Sequence, residues 1–220
     1  MIDPGDIALT LRLLDYAATV VFALTGALVA SRSQLDIVGF IFIACLTAVG
    51  GGTLRDVLLD RTVFWMADPL VLALASGAAI TVFFTAHLLE SRYAAMRWLD
   101  ACALAIAVPA GVAAAQAMGA GWPVVIVMGV MTGCMGGLMR DVVCNEVPLV
   151  LRQGELYVTA AFCGVGAALL TGILGQGGLG PLLACAAVTF TLRAGSMAFG
   201  WRLPVYRSAP PRPEAPKRDG

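Results

Sequence analysis

The sequence predicts an all-α membrane protein with seven transmembrane helices, built as two inverted three-helix repeats plus a seventh helix. Two observations support this prediction. Hydrophobic residues make up 60% of the 220 positions and charged residues only 13%, and the mean hydropathy is +0.88, whereas soluble domains contain about 45–50% apolar and about 25% charged residues. In addition, the first half of the chain resembles the second half at a constant offset.

A helix needs about 20 mostly apolar residues to cross ~30 Å of hydrocarbon. We predict seven such spans, at Tyr16 to Ala30, Ile37 to Leu59, Pro69 to Leu89, Ala101 to Met118, Pro123 to Val143, Leu156 to Leu174 and Pro181 to Gly200. Asp3 and Asp6 precede the first span in place of the basic residues of a signal peptide, so we expect this span to be retained. Pro69, Pro123 and Pro181 mark the starts of their spans, because the N–H that proline lacks is not needed there.

Basic residues are distributed unequally between the two ends of these spans. With seven spans the termini lie on opposite sides, and the amino-terminal side receives Arg12, Arg55 and Arg61. The other side receives Arg32, Arg92, Arg97, Arg140, Arg152, Arg202, Arg207, Arg212, Lys217 and Arg218. Because basic residues favour the cytoplasmic side, we predict that the amino terminus lies outside and the carboxyl terminus in the cytoplasm.

Shifting the sequence by 85 residues aligns its two halves without a gap, so that Leu14-Asp15 falls on Leu99-Asp100 and Arg55-Asp56 falls on Arg140-Asp141. Each copy holds three spans, an odd number, so consecutive copies enter the membrane from opposite sides. Inverted repeats concentrate transport sites near the axis between the copies. The predicted units are a first repeat (8–93), a second, inverted repeat (94–178), a seventh helix (179–201) and a proline-rich, disordered cytoplasmic tail (202–220).

Residue types that carry enzyme or metal chemistry are sparse. The six cysteines fall in or beside apolar spans without CxxC spacing, as expected of small side chains that pack between helices. The single histidine, His87, lies at the end of the third span, where we expect an interfacial position. We therefore predict no enzyme activity, no metal site, no cofactor and no disulfide framework.

The second and fifth spans carry the same glycine-rich element. Each glycine lowers helix stability by about 1 kcal/mol relative to alanine, which predicts a bend or an unwound turn that lines a pathway. The alternative is close packing alone, because small residues recur every four positions on one face of each helix. The candidate pore residues are Gly50, Gly51, Gly52 and Thr53 in the second span and Gly133, Gly136 and Gly137 in the fifth.

An arginine-aspartate pair follows each glycine element. Ionisable groups at this depth usually face a partner or a water-filled cavity, so we predict Arg55-Asp56 at the outer mouth and Arg140-Asp141 at the inner mouth of one path between the second and fifth helices. The alternative is a snorkelling pair that caps its helix. Asp15 and Asp100 are expected to be acids that favour a helix start.

The segments Gly50 to Arg61 (GGGTLRDVLLDR) and Gly136 to Leu149 (GGLMRDVVCNEVPL) resemble the bacterial trimeric intracellular cation channel (TRIC) family, which is also described as a glycine-transporter domain family. The resemblance covers about residues 8 to 200. It implies a plasma-membrane homotrimer of seven-helix protomers, each with its own pore lined by glycine-kinked second and fifth helices. Met135 stands where a full second glycine triplet would begin, so the path is expected to be asymmetric.

The predicted function is therefore a channel for monovalent cations, most simply potassium. The alternative is a carrier for glycine or another small solute, because inverted repeats also suit carriers. The sequence has no TVGYG-type filter, so we expect modest selectivity. No nucleic-acid partner is predicted, and no lipid site is carried over, because the basic lipid-binding residues of animal members have no match in this sequence.

Overall fold

The computed structural model of the chain describes residues 4–89 and 91–204, with side chains from residue 9 onward. Its helices are α1 (Pro4–Arg32), α2 (Ile37–Leu58), the single-turn α3 (Phe64–Ala67), α4 (Leu70–Thr85), α5 (Arg92–Ala117), α6 (Trp122–Val143), α7 (Val158–Ile173) and α8 (Gly180–Phe199). Six of them are long and apolar enough to cross a membrane, and α7 is a shorter apolar helix of 16 residues. The predicted fold class is confirmed.

The turns that end corresponding helices repeat between the two halves. Gln34 and Gly119 follow α1 and α5 with φ values of 54° and 68°, and Asp60 and Asn145 follow α2 and α6 with φ values of 52° and 54°. Gly, Asn and Asp tolerate this left-handed conformation better than other residues and commonly end helices. Each pair of positions differs by the 85 residues of the sequence repeat.

The helix packing also follows the repeat. The first helices of the two copies, α1 and α5, pack along each other, and α2 crosses α6. Helix α4 covers α1 and α2, helix α7 covers α5 and α6, and α8 packs on α5 and α7 outside the repeated unit. Large apolar side chains such as Phe42, Phe84, Phe162 and Ile173 are exposed on the outer surfaces, as expected of helices that face lipid. The region where α2 and α6 contact each other is therefore enclosed by the other helices.

One form of the predicted glycine break is wrong, and so is the start of the predicted tail. Helices α2 and α6 continue without interruption through both glycine elements, so of the predicted bend or unwound turn, the unwound turn is not present; the physical reason lies in the contacts of the glycines, described below. The predicted disorder from residue 202 is also wrong at its start. Arg202 pairs with Glu155 in an isolated antiparallel bridge, and the Leu203 N–H donates to the Gly154 carbonyl at 3.0 Å. Residues 205–220 of the predicted tail lie outside the described residues.

Candidate functional site at the crossing of two glycine-rich helices

Helices α2 and α6 touch at two glycines that the repeat relates to each other. A methyl group added to Gly51 would overlap the carbonyl oxygen of Thr132, and one added to Gly136 would overlap the carbonyl oxygen of Thr47. Backbone therefore meets backbone at both points, and only glycine allows so close an approach. We call these four residues the crossing. They favour the close-packing interpretation of the glycine elements and explain why the helices stay intact.

The other predicted glycines are contact points as well. Methyl groups at Gly50, Gly52 and Gly133 would come within 2.6 to 2.8 Å of a side chain on another helix, closer than real side-chain carbons approach. A methyl group at Gly137 would lie 3.3 Å from its nearest neighbour, the hydroxyl of Tyr157. Gly137 is therefore the least constrained of the set.

Three threonines lie beside these glycines, and only Thr53 is among the predicted pore residues. The hydroxyls of Thr47, Thr53 and Thr132 each donate to the carbonyl oxygen four residues earlier, at 2.6 Å. Thr53 also accepts a hydrogen bond from the Trp65 indole N–H at 2.9 Å, so it fastens α3 to α2. Thr47 and Thr132 belong to the crossing. Thr47 aligns with Thr132 at the 85-residue offset of the repeat, and this alignment could have identified both as site residues.

At the amino-terminal side, Arg55 holds two carboxylates. Its Nη1 and Nη2 donate to the two oxygens of Asp15 at 2.8 and 3.2 Å, and its Nε donates to Asp56 at 2.8 Å. The second oxygen of Asp56 accepts the Phe64 N–H at 3.0 Å. The side chain of Arg55 is fully buried, whereas that of Asp15 is 15% exposed. Asp15 is thus the part of this cluster that solvent can reach.

At the carboxyl-terminal side, Arg140 makes the equivalent contacts, but this cluster is closed to solvent. Its Nη1 donates to Asp100 at 3.0 Å and to the Thr25 hydroxyl at 2.9 Å, and its Nε donates to Asp141 at 2.7 Å. Asp141 also accepts the Leu149 N–H at 2.9 Å. The side chains of Arg140 and Asp100 are both fully buried. Among the described residues, Arg140 Nη2 and Asp100 Oδ2 have no hydrogen-bond partner.

The interpretation of Asp15 and Asp100 as helix-start acids is wrong. Helices α1 and α5 begin at Pro4 and Arg92, so both acids lie inside their helices and serve as partners of the buried arginines. The snorkelling alternative is not observed, because both arginine side chains are fully buried. The signal was present in the repeat, since each acid precedes its arginine by the same 40 residues.

A cavity of about 420 Å³ opens beside the Arg55 cluster, between α1 and the segment around α3. We call this cavity the vestibule. Its charged lining residues are Arg12, Asp15, Arg61 and Asp68. It lies at the end of α2, on the side where the sequence predicts an outer mouth.

A second, narrower space, which we call the neck, adjoins the vestibule. The two spaces share Asp15 and Phe64 as lining residues, and the neck has about 10 Å³ of free volume, about enough for one water molecule. It reaches the crossing at Gly51 and Thr132. Its lining residues are Asp15, Ala18, Phe22, Ala48, Gly51, Gly52, Phe64, Ala107, Ala110 and Thr132.

Asp68 ties the outer wall of the vestibule to α1. Its Oδ2 accepts hydrogen bonds from Arg12 Nη2 at 2.7 Å and from the Tyr16 hydroxyl, and its Oδ1 accepts the Leu70 N–H at 3.1 Å. The hydrogen bonds from Tyr16 and Arg12 hold the pKa of Asp68 below its ordinary value, because both donors stabilise the ionised carboxylate. The hydrogen bonds from Arg12 and Tyr16 to Asp68 therefore persist at any pH near neutrality.

We expect Asp68→Asn to loosen this wall and to speed hydrogen–deuterium exchange in residues 62–68. In the wild type the same loosening should appear only as the pH falls through the lowered pKa of Asp68, because a carboxyl with a depressed pKa stabilises the fold above its ordinary range and loses that effect on protonation. Exchange in the corresponding segment after α6, residues 147–153, is the control and should not change. Equal exchange in variant and wild type at neutral pH would contradict the assignment.

The sequence model of the family described as Glycine transporter matches the chain twice, at residues 12–87 and 97–172. The UPF0126 inner membrane protein YadS of Escherichia coli (strain K12) is 40% identical over 156 residues, which cover 69% of this chain and 73% of YadS. A UPF0126 membrane protein of Vibrio cholerae serotype O1 is 36% identical over 200 residues, which cover 89% of this chain and 82% of the relative.

Solved structures share the fold. The TRIC trimeric intracellular cation channel orthologue from Rhodobacter sphaeroides superposes with a TM-score of 0.83 and 41% sequence identity, over 86% of this chain and 98% of that chain. A prokaryotic TRIC channel determined in 0.5 M KCl superposes with a TM-score of 0.82 and 26% identity, over 88% of this chain and 98% of that chain.

Proposed function

This chain belongs to the glycine-transporter family and is similar to TRIC cation channels of known structure, and from this premise we propose that it is a membrane channel for monovalent cations, most simply potassium. The path runs between α2 and α6 within each protomer of a homotrimer. The protein resides in the bacterial plasma membrane, as its relative YadS does by name.

The observation that carries the proposal is a pair of adjoining spaces, the vestibule and the neck, which share the acid Asp15 in their walls. The neck borders the crossing, where Gly51 brings two helices into backbone contact. An acidic entrance raises the local concentration of cations. The sealed Arg140 cluster lies beyond the crossing, so we assign this structure to a closed state in which Arg140-Asp141 blocks the inner mouth. Arg55-Asp56 then belongs to the outer mouth.

We further propose that the vestibule faces outward and the carboxyl terminus faces the cytoplasm, with the two repeats bounded as 8–93 and 94–178. The support is the distribution of basic residues, since Arg32, Arg92, Arg97 and Arg152 lie in or near the connections that join α1 to α2, α4 to α5 and α6 to α7. A carboxyl-terminal reporter enzyme that is active only outside the cytoplasm would overturn this orientation.

Single-channel recording of the purified protein in planar bilayers tests the function. We expect unitary potassium currents when the crossing and the Arg140 cluster open, and native mass spectrometry in mild detergent should show three copies. Silence in the bilayer together with saturable glycine uptake into proteoliposomes would reject the channel. A monomer or dimer as the sole conducting species would reject the trimer.

We expect Asp15→Asn to lower potassium conductance severalfold at low ionic strength, with the loss shrinking at about 1 M salt, where charges are screened within ~3 Å. The substitution removes the carboxylate at the entrance of the neck and leaves Arg55 with less compensation. Asp60→Asn is the matched control, because Asp60 is exposed on the same side, does not line the vestibule, and corresponds to Asn145 in the second repeat. Equal conductance for Asp15→Asn and wild type at low salt would contradict the assignment.

A carrier for glycine or another small solute is the second candidate, and one observation favours it. The two mouths are unequal, with Asp15 open to the vestibule and Asp100 fully buried, as in a carrier that is open to one side at a time. A carrier would give uptake that saturates with glycine concentration and no unitary currents, so the recording and uptake experiments separate the two functions.

A further inference from the structure

We propose that Thr132 supplies the oxygen that binds a partly dehydrated cation in the neck, and so sets how the channel discriminates among monovalent cations. This inference rests on the proposed channel function and deepens it by naming the residue that contacts the ion. Thr132 is not part of the glycine elements or of the Arg-Asp pairs.

Few residues that line the neck have a side chain that could bind a cation. Among the described residues that line it, Asp15 and Thr132 have polar side chains, and the rest are alanine, glycine and phenylalanine. Both oxygens of Asp15 already accept hydrogen bonds from Arg55, at 2.8 and 3.2 Å, and Asp15 lies at the entrance that the neck shares with the vestibule. Of these two, Thr132 is the one that lines the neck beside the crossing.

The hydroxyl of Thr132 is held in the orientation that a cation needs. Its Oγ1 lies 2.6 Å from the carbonyl oxygen of Met128. A carbonyl oxygen can only accept a hydrogen bond, so the threonine must use its single proton as the donor, and its oxygen presents lone pairs to its surroundings. Lone pairs attract cations and repel anions, which matches the acid at the entrance.

The size of the neck makes this contact necessary. In this closed structure a free volume of about 10 Å³ admits about one water molecule, so a monovalent cation bound in the neck cannot keep its full hydration shell there. Each lost water oxygen has to be replaced by an oxygen of the protein, or the ion is excluded. Because a smaller cation holds its water more strongly, one replacement oxygen favours potassium and rubidium over sodium.

The fold keeps Thr132 in place. A methyl group at Gly111 would lie 2.6 Å from its Oγ1, and one at Gly51 would overlap its carbonyl oxygen, so α2 and α5 both pack directly against this residue. Thr132 is 4% exposed. Helix α5 therefore confines the side chain while α2 contacts the backbone, and the hydroxyl is already positioned when an ion arrives.

The test compares Thr132→Val, which replaces the hydroxyl by a methyl group at nearly constant shape, with Thr132→Ser, which keeps the hydroxyl. We expect Thr132→Val to lower unitary potassium conductance about tenfold, the order expected for losing one ligand to an ion, and to bring the potassium-to-sodium permeability ratio toward one. Thr132→Ser should retain most of both. Thr81→Val on the exposed side of α4 loses the same kind of bond, to the Gly77 carbonyl at 2.8 Å, and should behave as wild type.

Crystals soaked in rubidium give a readout that needs no current. We expect an anomalous peak in contact with Thr132 Oγ1 in the wild type and in Thr132→Ser, and none there in Thr132→Val. If the wild-type protein carries no current in bilayers, the proposed channel function is rejected. The rubidium peak alone then decides whether Thr132 binds a cation. A conducting Thr132→Val channel with wild-type permeability ratios, or crystals without rubidium at Thr132, would overturn the assignment.

Discussion

Replacing Arg140 with leucine should lower the free energy of unfolding by about 3–5 kcal/mol, the range for breaking a buried ion pair by removing one partner. The change leaves two carboxylates without their cation in a place that water does not reach, because the side chain of Asp100 is fully buried and that of Asp141 is 3% exposed. Asp141 keeps only the hydrogen bond from the Leu149 N–H. The free energy of unfolding, measured in mixed micelles, is the observable.

The repeat supplies a matched comparison for this prediction. Arg55→Leu removes the equivalent arginine, but Asp15 is 15% exposed and borders the vestibule, so water can solvate the carboxylate that is left. We therefore expect a smaller loss for Arg55→Leu than for Arg140→Leu. Adding Asp100→Leu to Arg140→Leu removes one of the uncompensated charges and should recover part of the loss. Equal losses of unfolding free energy in Arg55→Leu and Arg140→Leu, or no recovery in the double variant, would contradict this prediction. Burial of the carboxylates would then not determine the stability of the two clusters.

The seven long apolar helices and most of their ends could be predicted from the sequence because the bilayer imposes a length and a composition on each span, whereas the single-turn α3 could not. The exceptions are the starts of α1 and α5. There Asp15 and Asp100 interrupt the apolar runs, and the predicted spans begin directly after them. Whether a carboxylate is tolerated inside a membrane helix depends on its partner, and that partner lies 40 residues away in each case.

The glycine elements show a second limit of sequence reasoning. Helix propensity is a local property, and by that measure three adjacent glycines weaken α2. What decides the outcome is the surface opposite them, and for Gly51 this is the backbone of Thr132 in the other repeat. The register of the repeat could have suggested this contact, because a helix pair related by a two-fold axis meets at equivalent positions. The vestibule could not be predicted, since it depends on how α3 and the loop at Asp68 fold over α1.

Gly51→Ala should destabilise the crossing by about 1–3 kcal/mol, the usual range for overpacking. The added methyl group meets a backbone carbonyl oxygen, which cannot turn away as a flexible side chain can, so α2 and α6 must separate. Gly136→Ala should have a similar effect through the carbonyl oxygen of Thr47. Because the neck ends at Gly51, we also expect potassium flux per assembled protein to change more in Gly51→Ala than in a variant of equal stability altered elsewhere.

Gly77→Ala is the control that separates close contact from flexibility. Gly77 lies within α4, and a methyl group added there meets nothing within 4 Å, so alanine should leave stability unchanged or raise it by up to ~1 kcal/mol through helix propensity. If Gly51 were needed only as a flexible break, alanine at Gly51 would likewise stabilise α2 while impairing flux. If Gly51→Ala and Gly77→Ala change the free energy of unfolding equally, backbone contact at the crossing is rejected. If only Gly51→Ala lowers it clearly, the flexible break is rejected.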